Sequence, residues 1–117
     1  MSFEHRLQMI ARIAYAVAFS DGRVHPEERR ALAAILQQHF PIYEQTEILH
    51  YFKDFEETHR TTGFVLDDGR IRKLHTYLFK SDFEKVLDMV RAIADSFEGV
   101  HPGEQILLDK LEAKLGS

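Results

Sequence analysis

The pentapeptide Val24-His25-Pro26-Glu27-Glu28 returns 76 positions later as Val100-His101-Pro102-Gly103-Glu104, each copy lying between two apolar-periodic segments. The same interval pairs Ile10 with Val86, Ile13 with Met89, Val17 with Ile93 and Leu32 with Leu108, so core positions recur together with the turn. Two copies are too few for a solenoid, in which every repeat is covered by its neighbours. They fit a compact all-α bundle of two helix–turn–helix units related by a pseudo-twofold rotation, each unit hiding the other's apolar face.

Helical periodicity accounts for nearly the whole chain. Leu7, Ile10, Ala11, Ala14, Val17 and Ala18 form one stripe of a first helix that runs from about Phe3 to Ser20, where Asp21-Gly22 stops it. Pro26 suits the first position of a second helix because its missing N–H costs nothing there, and Pro41 bounds that helix. A third, from about Tyr43 to Thr58, carries Ile48, Tyr51, Phe52 and Phe55 on one face. The segment from His59 to Gly69 has no clear period; Asp67 or Asp68 then caps a shorter helix bearing Ile71, Leu74 and Leu78. Helices opening near Ser81 or Asp82 and at Pro102 complete a single domain of about six. The alanines of the first helix predict a central position, since small side chains permit close approach between helices.

Composition removes several function classes. The 117 residues include no cysteine, which excludes disulfides, thiolate–zinc sites and cysteine nucleophiles. Fifteen basic against nineteen acidic side chains leave a net charge of −4, unsuited to a general nucleic-acid or anionic-membrane surface. Arg70, Arg72 and Lys73 form the one basic cluster and read as a solvated helix face. Met9 to Phe19 resembles a secretion signal, but Arg12 interrupts it and the residues around Arg12 follow a helical stripe. No apolar run reaches the length of a membrane span, so a cytoplasmic domain without membrane insertion is expected.

The first turn holds the residues with chemical potential. Asp21-Gly22-Arg23-Val24, with Glu28 six residues after the glycine, matches the second half of an EF-hand loop. The first half is missing, because Val17 and Phe19 fall where the loop needs ligand oxygens. Two readings of Glu28 and Glu104 follow. With His25 as N-cap and Pro26 next, each glutamate stands third in its helix, where it can bond back to the cap backbone and complement the helix dipole. Alternatively the same carboxylates ligate a divalent cation, and the two functions can coexist.

Ala18-Phe19-Ser20-Asp21-Gly22-Arg23-Val24, followed by Pro26-Glu27-Glu28 and an apolar helix, resembles the Ala-Asp-Gly-x-Val-x-x-x-Glu signature of the TerB-like domains of tellurite-resistance proteins and of a membrane-anchored DnaJ-type co-chaperone. The resemblance implies an all-helical bundle of two pseudo-twofold units and, as in the tellurite-resistance members, an acidic metal-binding surface without an established catalytic activity. Asp21, Glu28 and Glu104 carry over by position. In the second unit the Asp-Gly pair is broken up as Asp95-Ser96-Phe97-Glu98-Gly99, so either Asp95 or Glu98 stands in for the acid. Hard carboxylate donors favour calcium, magnesium or manganese, while His25 leaves zinc open.

No catalytic motif is present. Glu47-Ile48-Leu49-His50 and Glu56-Glu57-Thr58-His59 share the Glu-x-x-His spacing of di-iron bundles. At about 100° per residue, however, two copies nine apart on one helix face opposite ways. The sequence thus predicts a binding module, with a divalent cation, a protein partner or both at the acidic turn. The competing class is a metal-free interaction scaffold docking through Phe64, Val65 and Leu66, which are expected to pack unless a partner covers them. A metal-dependent enzyme is a third.

Overall fold

The computed structural model describes residues 3–62, 66–97 and 102–116, with side chains at 5–58, 66–97 and 102–116. It is an all-helical bundle in the order α1 (Phe3–Ala18), α2 (Pro26–His39), α3 (Ile42–Thr62), α4 (Asp68–Arg72), a 3₁₀ turn (Leu74–Thr76), α5 (Lys80–Asp95) and α6 (Pro102–Leu115). The apolar stripe of α1 is wholly buried, and α3, α5 and α6 all pack on that helix. Ala11, Ala14 and Ala18 lie in the core, where their small size lets the neighbouring backbones come close. Among the described residues no helix is long and apolar enough to cross a membrane.

The 76-residue register persists in three dimensions. Val86, Met89, Ile93 and Ala94 of α5 are buried as are Ile10, Ile13, Val17 and Ala18 of α1. Both helices also end alike: Ser20 Oγ donates to the Val17 carbonyl at 2.8 Å and Ser96 Oγ to the Ile93 carbonyl at 2.7 Å. Beyond the turns the units diverge, with Leu36 fully buried in α2 and its counterpart Glu112 only half-buried in α6. The packing diverges too, for α2 lies mainly against α5, whereas α6 packs on α5 and only lightly on α1.

Several boundaries differ from expectation. The helix expected to carry Ile71, Leu74 and Leu78 ends at Arg72 and gives way to the 3₁₀ turn, and α5 opens at Lys80 with Phe79 as its cap, placing Asp82 third rather than first. α1 is regular only to Ala18, the two residues before Asp21 forming turns. α3 continues past Thr58 to Thr62, into the stretch expected to be irregular. Thr58 Oγ1 donates to the Asp54 carbonyl at 2.8 Å, so its hydroxyl is satisfied inside the helix and gives no reason to stop. Asp67 caps α4 by accepting from the Arg70 N–H at 2.8 Å, and Ile71, Leu74 and Leu78 turn inward after it. Leu66 is buried in the core as expected; Phe64 and Val65 lie outside the described residues.

A polar cluster that the sequence did not reveal joins the starts of α1, α3 and α5. Asp82, 0% exposed, takes the Arg6 guanidinium through both oxygens at 2.6 and 2.7 Å. The same guanidinium reaches Glu44 at 2.9 Å, and Asp82 Oδ2 also accepts the Phe79 N–H at 2.9 Å. The hydrogen bond to Asp82 holds the Arg6 proton more tightly than water would, although burial works the other way. Breaking such a group strands a buried charge.

Asp82→Ala is therefore expected to cost about 3–5 kcal/mol in urea unfolding, while leaving Glu44 as the only carboxylate bonded to Arg6 among the described residues. Ala14→Leu should cost about 1–3 kcal/mol by overfilling the contacts of α1. A variant at Ala14 as stable as the parent protein would contradict the central placement of α1.

Candidate functional site

The turn between α1 and α2 is fixed by local chemistry. The Gly22 N–H bonds the Phe19 carbonyl at 2.9 Å, and Gly22 itself has φ +99°, a left-handed conformation that side-chain-bearing residues rarely adopt. A Cβ there would meet nothing, so the requirement is conformational rather than spatial. Asp21 Oδ1 accepts the Arg23 N–H at 3.3 Å, closing a short side-chain turn. His25 then takes the extended backbone (φ −89°, ψ 150°) that a following proline demands and serves as N-cap of α2.

Capping by Glu28 is present. Its Oε1 accepts the His25 N–H at 2.7 Å, the bond expected of an acid at the third helical position. Asp82 does the same for Phe79 at the start of α5. The His25 ring is also held on both sides: Nε2 lies 2.9 Å from Asp21 Oδ2, and the ring stacks on Phe97 with centroids 3.7 Å apart and planes 16° off parallel. In the repeat register Phe97 occupies the place of Asp21, so an aromatic side chain stands where the second acid would be.

Three of the four predicted site residues meet here. Glu28 and Glu104 are 4% and 5% exposed, Asp21 is exposed, and the charges of Asp21 and Glu104 both act on Glu28. Ser20 Oγ is 3.4 Å from Glu104 Oε2, which brings the first turn to the start of α6. The hydroxyl has one proton and the Val17 carbonyl is closer, so the Glu104 approach is proximity more than a strong bond. Asp95 is exposed at the last residue of α5, and no hydrogen bond or ion pair among the described residues links it to the other three. Glu98 and His101 lie outside the described residues.

Burial pushes the Glu28 carboxyl up to about 7, and the negative charges of Asp21 and Glu104 add to the shift against the opposing His25 N–H bond. Asp21 goes the other way. Burial disfavours its charge, but the bonds to His25 and to the Arg23 N–H prevail and hold it below the usual carboxylate range. The result is an acidic end in which one carboxylate is stabilised and another is strained by its neighbours. Among the described residues no group of three or more His, Asp or Glu is already arranged to hold a metal ion.

The Glu-x-x-His residues take no part. His50 is exposed and pairs with Asp54 at 3.5 Å, Glu56 binds Arg29 Nε at 3.1 Å, and the His59 side chain lies outside the described residues. What sequence reasoning missed is the His25–Phe97 stack. Its only signal was the irregular Asp95 to Gly99 turn, where an aromatic replaces the acid of the first copy.

Glu28 makes a pH prediction with a definite sign. Its folded value near 7 stands above the ordinary 4.5, so the folded protein keeps a proton that the unfolded chain releases between those values. Its contribution is fully present below pH 4.5 and is lost as pH rises through 7. Glu28→Gln keeps an acceptor for the His25 N–H and cannot ionise. In chelator, the variant should match the parent protein near pH 4.5 and exceed it by on the order of 2–3 kcal/mol at pH 8. A stability difference between the two that is flat across this range would show that Glu28 titrates normally.

Comparison of the chain with protein-family models, with curated proteins and with solved structures gives no match.

Proposed function

We propose that this chain is a small TerB-like binding module whose acidic turn takes a divalent cation, a protein partner engaging the same end of the bundle. The observation that carries the reading is Glu28: a carboxyl buried beside Asp21 and near Glu104, pushed up to about 7, is relieved by any cation that neutralises the cluster. Glu28 and Glu104 come from the starts of two different helices, so one ion would tie both units together. Carboxylate oxygens are hard donors, which favours calcium, magnesium or manganese; zinc would require His25 as a ligand.

Affinity is expected to be modest. Asp21 is engaged by His25 at 2.9 Å, and a cation must compete with that pair while water fills the remaining coordination positions. Asp95 would join only by a rearrangement at the end of α5. The role assigned here is non-catalytic, in line with the TerB-like signature, which implies no established catalytic activity. A cytoplasmic location and a link to tellurite or stress resistance belong to the same reading through the TerB-like signature.

A metal-free interaction scaffold is the second reading, and one feature favours it. Ile42 and Tyr43 at the start of α3 are 79% and 60% exposed, an apolar face better placed for docking than the expected triplet, in which Leu66 is buried.

Thermal unfolding of tag-free protein with millimolar calcium, magnesium, manganese or zinc separates the two. The cation reading expects a rise in Tm with at least one ion and its loss in Asp21→Asn/Glu28→Gln, the helical content being retained. Capping alone expects no ion-dependent rise in Tm for either the parent protein or the double variant. Absence of any shift with all four ions would leave only the scaffold.

A further inference from the structure

Ile42, at 79%, is the most exposed large apolar side chain among the described residues. Leu49, 38% exposed, follows seven residues on, about 10 Å along the same side of α3. A further seven residues on, at Glu56, the surface sinks between α2 and α3 into a cavity of about 510 Å³ bordered by Arg29, Leu49, Phe52, Lys53, Glu56 and Glu57. Arg29 Nε bonds Glu56 Oε1 at 3.1 Å, so these two charges compensate each other and leave their aliphatic stems as a wall. A knob and a hole therefore lie on one helix at equal distances either side of Leu49.

We propose that the outer face of α3 joins a second copy of this chain, the two α3 helices running antiparallel about a twofold axis at Leu49, with Ile42 of each copy seated in the α2–α3 cavity of the other. Equal spacing is what a twofold rotation requires: with Leu49 on the axis, residue 42 of one copy faces residue 56 of the other, and the contact is made twice. Charge agrees with this arrangement. The seated Ile42 brings with it the positive end of a 21-residue helix, whose one acid in the first turn, Glu44, is already bonded to Arg6. It meets Glu57 at the rim of the cavity, a carboxylate that forms no hydrogen bond or ion pair among the described residues. The face is short, so the dimer is a weak and reversible one. The inference rests on the scaffold reading of the exposed α3 start and is independent of the acidic turn.

Sedimentation velocity on tag-free protein in chelator, over a concentration series reaching the millimolar range, should show reversible passage from monomer to dimer and to nothing larger, as a closed twofold contact requires. Chelator removes any contribution from a cation, so this result and the cation-dependent Tm are read separately. Leu49→Glu sets two like charges against each other at the axis, and Ile42→Ser removes both knobs; each should weaken dimerisation about tenfold or more. Glu57→Gln should weaken it less, and more at low salt than at high. Ile106→Ser, at a side chain 58% exposed on α6 and outside the cavity lining, should leave it unchanged. Because the chain has no cysteine, Leu49→Cys reports the axis directly: mild oxidation should join two copies far faster than it joins Ile106→Cys. A monomer at every concentration, a dimer indifferent to Leu49→Glu and Ile42→Ser, or equal cross-linking at the two cysteine positions overturns the proposal. The cross-linking comparison also decides the matter if Leu49→Glu loses its helical content.

Discussion

Arg6 is the residue on which the arrangement of helices depends. Its guanidinium is shared by Asp82 at the start of α5 and Glu44 at the start of α3, so one side chain of α1 fixes the relative heights of three helices. Taking an arginine and an aspartate out of water costs several kcal/mol for each ion, and only good geometry offsets that cost. The geometry is good: two short bonds to Asp82, one to Glu44, and the Phe79 N–H on the remaining side of the aspartate. Sliding any of these helices by one turn would separate the charges without returning them to solvent.

The same capping device operates in two electrostatic settings, and the difference explains the behaviour of the acidic end. Asp82 and Glu28 each stand third in a helix and each accept the N–H of the cap residue. Asp82 also receives Arg6, whereas no Arg or Lys among the described residues hydrogen-bonds Glu28, where the charges of Asp21 and Glu104 act against those of His25 and Arg29. Burial is therefore compensated at the first position and only partly compensated at the second. The two lie near opposite ends of α1, about 20 Å apart from Arg6 to Ser20 at 1.5 Å per residue. One end of the bundle is electrostatically complete, whereas the other keeps a buried carboxyl whose charged form is disfavoured by burial.

Helix number and order, and the caps of α2 and α4, were legible in the sequence because each rests on local rules, whereas the start of α5 falls earlier than Ser81 because Asp82 caps it from the third position. Pro26 and Pro102 open helices where a missing N–H costs nothing, Asp67 caps α4, and the α1 and α5 stripes repeat at a fixed interval. The extent of α3 was not legible, since a run of threonines reads as loop unless their hydroxyls bond back to the helix, as Thr58 does. The Arg6–Asp82 pair was hidden for a different reason. These two residues are separated by the repeat interval itself, yet an arginine and an aspartate do not look like equivalent residues. Of the acidic site, Asp21, Glu28 and Glu104 were legible from the turn pattern, whereas the contact of His25 with Phe97 depends on how the units dock.

Capping and ion binding by Glu28 need not exclude each other, because a carboxylate has two oxygens and about four lone-pair directions. The His25 N–H occupies one direction on Oε1. A cation approaching the other oxygen would leave the cap intact and lower the energy of the charged form that the cap prefers. A proton does the opposite, removing the charge that gives the cap its strength. On the proposed reading, a proton and a cation would compete at this end for one buried carboxylate, with the helix start favouring whichever occupant leaves Glu28 ionised.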